Sequence, residues 1–136
     1  MKIDYLKARL TAELCSFFGN DFKRIEHALE VLNYSEIIAA RIGGCDNEII
    51  TAASLFHDLG IKPAEEIYGH NNGKLQEELG PAEARLILNG QGFDKAKTDI
   101  VCDIISNHHS ASRFKYPELE VLKQADAIVN KLHNEL

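Results

Sequence analysis

Residues 49–56 constrain this chain most, because they are almost wholly apolar and run directly into His57-Asp58. A segment of that kind has to be buried, and it takes an imidazole and a carboxylate in with it. Such a pair costs several kcal/mol inside a protein unless something compensates it. A divalent cation is the expected partner. Other side chains of metal-ligating type lie upstream, at His27, and downstream, at His108, His109 and Asp126.

The remaining pattern predicts an all-α chain. Tyr5, Leu6, Leu10, Leu14, Phe17 and Phe18 recur at helical spacing in a first segment that Gly19-Asn20-Asp21 ends. A second helix runs to about Ile42 with Phe22, Ile25, Leu29 and Leu32 on one stripe, and Gly43-Gly44 stops it. Asp46 caps a third, apolar helix to His57, and Gly60 supplies its C-terminal turn. Pro63 suits the first turn of a short helix, and residues 68–73 read as a loop. Gly80-Pro81 opens a helix to about Leu88, and Asp94 caps another to about His108. Pro117 starts the last helix, with Leu119, Leu122, Val129 and Leu132 as its apolar stripe. No alternating strand pattern stands out, and no repeat or linker divides the chain, so residues 1–136 are expected to form one domain.

Composition removes several function classes. A net charge of −6 disfavours a general nucleic-acid surface. No apolar run approaches the roughly 20 residues that span a bilayer. The N-terminus lacks a signal-peptide pattern, since Asp4, Lys7, Arg9 and Glu13 interrupt it, so cytoplasm is the expected compartment. Cys15, Cys45 and Cys102 are too few and too far apart for a thiolate zinc site or a disulfide framework.

Asp126 gives the sharpest local argument. It falls in the stripe Leu119, Leu122, Asp126, Val129, Leu132, where an apolar residue is expected, and aspartate is a poor helix former. Either a metal or a capping hydrogen bond or arginine would satisfy it. His57 and Asp58 stand at a helix end, where a turning backbone lets neighbouring side chains converge and the helix dipole favours a cation. The alternative is a packed core histidine beside a turn aspartate. His27 shares a face with Val31, Tyr34 and Ile38, and on its own reads as a packed histidine. His108 and His109 follow Val101, Ile104 and Ile105 and can also converge through a turn. His70 and His133 read as surface residues.

Taken together, the order His27, His57-Asp58, Asp126 on a helical chain resembles the HD-domain superfamily of metal-dependent phosphohydrolases. The resemblance runs from the second helix to the last. It implies a single HD-domain helical bundle in which His27, His57, Asp58 and Asp126 ligate one metal. Some HD families hold a second ion through further histidines, and Asn107-His108-His109 is similar to the later part of that extended pattern. The earlier part is absent, because Gln76-Glu77-Glu78 stands where the extra histidine is found. Glu77 or Glu78 is then either an alternative oxygen ligand or part of a solvated helix end, and Lys62 is a phosphate contact displaced by one residue from its usual place after the glycine.

The resemblance implies hydrolysis of a small phosphate ester, with a nucleotide as one candidate. Two histidines and two carboxylates suit Mn²⁺, Fe²⁺, Co²⁺, Ni²⁺, Zn²⁺ or Mg²⁺. Asp58 is expected to orient or deprotonate the attacking water, and His108 or His109 to protonate the leaving oxygen or steady a phosphate. Lys62, Lys74, Arg113 and Lys115 are the candidate cations, with Arg113 placed best. A di-iron oxygenase using His108 and a non-catalytic metal-bound ligand sensor are the alternatives. A homodimer is the default expectation for assembly.

Overall fold

The computed structural model of the protein describes residues 2–134; Met1, Glu135 and Leu136, the ends of the expected domain, lie outside them. The chain is built from helices: α1 (Ile3–Phe18), α2 (Phe22–Ile42), α3 (Asn47–Phe56), α4 (Ile61–Tyr68), α5 (Gly73–Gly90), α6 (Lys95–Ile105) and α7 (Pro117–Asn134). No strand occurs among the described residues. None of their helices is long and apolar enough to cross a membrane.

Helix α3 is the centre of the bundle. Every residue from Ile49 to Phe56 is buried, which is why the segment has no polar face. It packs against α1, α2, α6 and α7. The Asp46 carboxylate caps it, accepting from the backbone N–H groups of Glu48 at 2.9 Å and Ile49 at 3.1 Å. The helix ends at Phe56, one residue before the expected end, so His57 and Asp58 enter the turn that follows.

Several expectations are corrected. Ile25 and Leu32 of the expected α2 stripe are buried, but Phe22 and Leu29 are exposed, and Ala28, Val31, Ser35 and Ala39 complete the buried face. This smaller-residue face lets α2 approach α3 and α7, which a stripe centred on Phe22 would not. Tyr5 and Leu132 are likewise exposed. Gly80-Pro81 does not open a helix. Helix α5 starts at Gly73, with Asn72 Oδ1 accepting from Leu75 N–H at 2.9 Å, and continues through Pro81. The buried residues Gln76, Gly80, Ala84 and Leu88 form one stripe at four-residue spacing across the proline. Packing of that stripe offsets the ladder bond that proline removes. Helix α6 ends at Ile105 rather than at His108, and a turn carries His108 and His109.

Gly60 is the remaining correction. Its φ of −65° is ordinary right-handed backbone, so it supplies no left-handed turn. Its lack of a side chain serves a close crossing. A Cβ there would lie 2.5 Å from the Gln76 carbonyl oxygen and 2.8 Å from Gly80 N. A Cβ on Gly80 would lie 2.8 Å from Ile105 Cγ2. The two glycines therefore bring α5 against the turn that bears His57 and Asp58. Gly60→Ala should destabilise the fold by about 1–3 kcal/mol, since backbone atoms have to shift. Gly90→Ala meets nothing within 4 Å and should stay within about 1 kcal/mol of wild type or gain stability. Urea unfolding of the two variants measures both, and equal stabilities would refute the close-crossing account.

Candidate metal centre

Three helical regions deliver one four-residue cluster. His27 comes from the second turn of α2, His57 and Asp58 from the end of α3, and Asp126 from the middle of α7. His27 Nε2 lies 2.9 Å from Asp126 Oδ1 and 3.4 Å from Asp58 Oδ2. His57 Nε2 lies 3.3 Å from Asp58 Oδ2 and 3.4 Å from Asp126 Oδ1. The expected convergence of a neighbouring histidine and aspartate at a helix end is present in this geometry. Asp126 reaches inward from between Leu122 and Val129, the position its stripe marked.

The protonation pattern suits a cation. Nδ1 of His57 lies 2.7 Å from the Ser54 carbonyl oxygen. A carbonyl only accepts, so Nδ1 carries a proton and Nε2 is left to face the carboxylates. Nε2 of His57 is fully buried and makes no well-formed hydrogen bond, despite carboxylate oxygens at 3.3 and 3.4 Å. His108 repeats the arrangement: its Nδ1 sits 2.6 Å from the Ile105 carbonyl, and its buried Nε2 has no hydrogen-bond partner. Asp58 Oδ1 is 3.6 Å from that Nε2. A backbone carbonyl on one imidazole nitrogen and a free buried nitrogen opposite is the usual support of a metal-ligating histidine. The chain's residues therefore fit a divalent ion at His27, His57, Asp58 and Asp126.

Charge in the cluster is strongly coupled. Burial opposes a positive His57, yet Asp58 and Asp126 more than offset it and raise its pKa well above the ordinary value. Burial also opposes the Asp58 carboxylate, but His57 and His108 hold it well below the ordinary range. Asp126 is lowered as well, by His27 and His57 acting against burial.

A second group of ligand-type atoms, from Asp58, His108 and His109, lies within 4.8 Å of one another and shares Asp58 with the first. His109 is engaged elsewhere, however. Its Nε2 is 2.7 Å from Gln76 Oε1, and its backbone N–H donates to Glu77 Oε2 at 3.0 Å. Burial and the adjacent His108 lower its pKa. Glu77 is thus tied to the turn, also accepting from Ser110 Oγ at 2.7 Å, and does not join the cluster. Lys62 points its ammonium at the Phe17 carbonyl, 2.8 Å away, and over the Phe17 ring. Arg113 donates to the Ser106 carbonyl at 3.3 Å and lies over Phe114. The structure brings neither cation to the cluster. His70 and His133 are exposed, and His133 pairs with Glu30 at 3.0 Å.

A cavity of about 270 Å³ opens onto the cluster, lined by His27, Asp58 and Asp126 together with Ile61 and His109. Arg24, Gln76 and Asn130 complete its wall. Sequence reasoning missed Arg24 and Asn130, and noted Gln76 only as standing where an extra histidine is found. Arg24 stands three residues before His27 and Asn130 four after Asp126, so helical spacing from the ligands marks both. Arg24 is the cation at the cavity, held by Asp21 at 2.9 Å and by both Glu65 oxygens at 3.0 and 3.1 Å.

A profile of the HD domain matches residues 24–131, which spans α2 to α7 and every residue of the cluster. The chain belongs to the HD-domain family. No solved structure gives a significant match to it. HD-domain proteins bind divalent metals and are generally metal-dependent hydrolases, which agrees with the donor set found here.

The coupled charges set a pH dependence. A raised His57 stabilises the metal-free protein fully below its unfolded value near 6.5, and that contribution is lost as pH rises through the folded value. The depressed Asp58 and Asp126 contribute above the unfolded value near 3.9, a contribution lost as pH falls through their folded values. Metal-free protein should therefore gain most from this cluster between about pH 4 and about pH 6.5. A bound ion needs His57 Nε2 without its proton, so the Tm gain from one equivalent of Zn²⁺ should grow from about pH 6 to about pH 8. Differential scanning fluorimetry at both pH values checks this, and a shrinking gain would contradict it.

Proposed function

We propose that this HD-domain protein is a metal-dependent phosphohydrolase that hydrolyses a small phosphate ester, with nucleotides among the candidate substrates. The reading rests above all on the orphaned Nε2 of His57, buried between two carboxylates that do not satisfy it. A divalent ion held by His27, His57, Asp58 and Asp126 would supply an acidified water and neutralise phosphoryl charge. Asp58 sits between that set and His108, so its second oxygen is placed to orient the attacking water and take its proton. His108, supported at Nδ1 by the Ile105 carbonyl, lies behind the cavity wall with its buried Nε2 3.6 Å from Asp58 Oδ1, and would reach the leaving oxygen only beside that carboxylate. Arg24 offers charge at the cavity wall for a phosphate oxygen, the role expected of Lys62 or Arg113. The cavity suits one small substrate, and the acidic chain gives no support to a nucleic-acid partner. One working domain, a cytoplasmic location and a homodimer remain part of this proposal.

The group Asp58, His108 and His109 is the feature that favours the di-iron oxygenase alternative. Gln76 occupies Nε2 of His109, so a second iron there would have only Nδ1 of that ring to bind. Metal-loaded protein incubated with p-nitrophenyl phosphate and a nucleotide panel should release phosphate. His57→Ala and Asp126→Asn should each lower the rate about 100-fold or more, with the metal content of Asp126→Asn reduced as well. Absence of His57-dependent phosphate release would overturn the hydrolase reading. Two irons per chain with a mixed-valence signal would favour the oxygenase. An inert protein stabilised by a single metabolite would favour the sensor.

A further inference from the structure

Gln76 is buried at the crossing of α5 with the turn that bears the cluster, and its amide is pinned at both ends. Its Nε2 donates to the Asn71 carbonyl at 2.6 Å. Its Oε1 lies 2.7 Å from His109 Nε2. The Asn71 carbonyl can only accept, so the amide cannot be turned over without setting two acceptors face to face. Oε1 can also only accept, and the proton in the Gln76–His109 bond therefore belongs to His109 Nε2. The ring is fixed by more than this bond. A Cβ on Gly73 would stand 3.0 Å from His109 Cβ and 3.1 Å from its Cγ, so the first turn of α5 lies against the imidazole. Glu77 holds the His109 backbone from the same helix at 3.0 Å.

We propose that Gln76 is a positioning residue that locks His109 as the Nε2–H tautomer, so that His109 meets the cavity's occupant through an Nδ1 lone pair, as an acceptor. His109 then does not deliver a proton to the leaving group, and that role falls to His108 alone. The chemistry that matches is a substrate with a hydrogen-bond donor, such as a hydroxyl, near its phosphate. Gln76 and His109 both line the cavity beside Asp58, which places that donor close to the reacting end of the substrate. The identity of the occupant rests on the phosphohydrolase reading; the tautomer does not.

Long-range proton–nitrogen spectra of the full chain, labelled with ¹⁵N-histidine and loaded with one equivalent of Zn²⁺, test the tautomer directly. The expected result is a proton on Nε2 of His109 and a lone-pair nitrogen shift at Nδ1. A proton on Nδ1, an even mixture, or zinc bound at Nε2 would overturn the proposal whether or not any substrate is found. Gln76→Leu should give mixed tautomers while zinc content stays at wild-type level. On a hydroxyl-bearing phosphate ester that the panel identifies, Gln76→Leu should lower kcat/KM about 10-fold. A folded Gln76→Leu variant that keeps a pure Nε2–H signature would show that Gln76 does not set the tautomer. If that variant does not fold, the wild-type spectrum still decides the assignment.

Discussion

The structure depends on one unsatisfied atom. Nε2 of His57 sits in the interior with its other nitrogen committed to the Ser54 carbonyl and carboxylates from two parts of the chain close by. The apolar character of α3 makes this arrangement necessary, because a helix buried on every side carries whatever follows it into the core. A charge brought in that way requires compensation of matching strength. The Asp58 and Asp126 carboxylates face it, and a divalent cation would satisfy the nitrogen and both carboxylates together. The remaining helices can be read as the means of bringing those groups together.

Helix α5 has the second organising role. Its approach to the Gly60 turn depends on two positions without side chains, Gly60 and Gly80. That approach sets Gln76 and Glu77 against the His108-His109 turn, so one helix supports the far wall of the cavity. Asn107 does similar work from within the loop, donating to Ser110 and the Ala111 carbonyl and accepting from Arg113 N–H. The row of imidazoles from His27 through His57 and His108 to His109 has ring centroids 5.4, 5.4 and 4.0 Å apart. Each imidazole is supported by a different element, and the two ends of the row, His27 and His109, line the cavity.

Much of this was legible in the residues, and the failures have physical causes. Asp126 stood out because it broke an apolar stripe, and a break of that kind survives any error in helix boundaries. Asp46 and Asp94 were readable as caps because a short carboxylate before a helix has few other uses. The inner face of α2 was misread because large residues drew attention, whereas close packing favoured Ala28, Ser35 and Ala39. Pro81 concealed the first half of α5, and with it the setting of Gln76. Proline weighs heavily in local reasoning, but tertiary packing outweighed it here. Lys62 and Arg113 were chosen by nearness in sequence to the HD and HH pairs. The cavity instead draws on Arg24, one helical turn from a ligand.

The pairing of His27 with Asp126 joins residues 99 positions apart, on α2 and α7. An ion held at both would act as a cross-link closing a very long loop, and such closures restrict the unfolded chain more than short ones do. The order of synthesis matters too. His27, His57 and Asp58 emerge well before Asp126, so a growing chain holds an incomplete ligand set until α7 is made and docked. Completion of the centre is then coupled to the last long-range packing event of the fold. Occupancy of the ion would report that the bundle has closed.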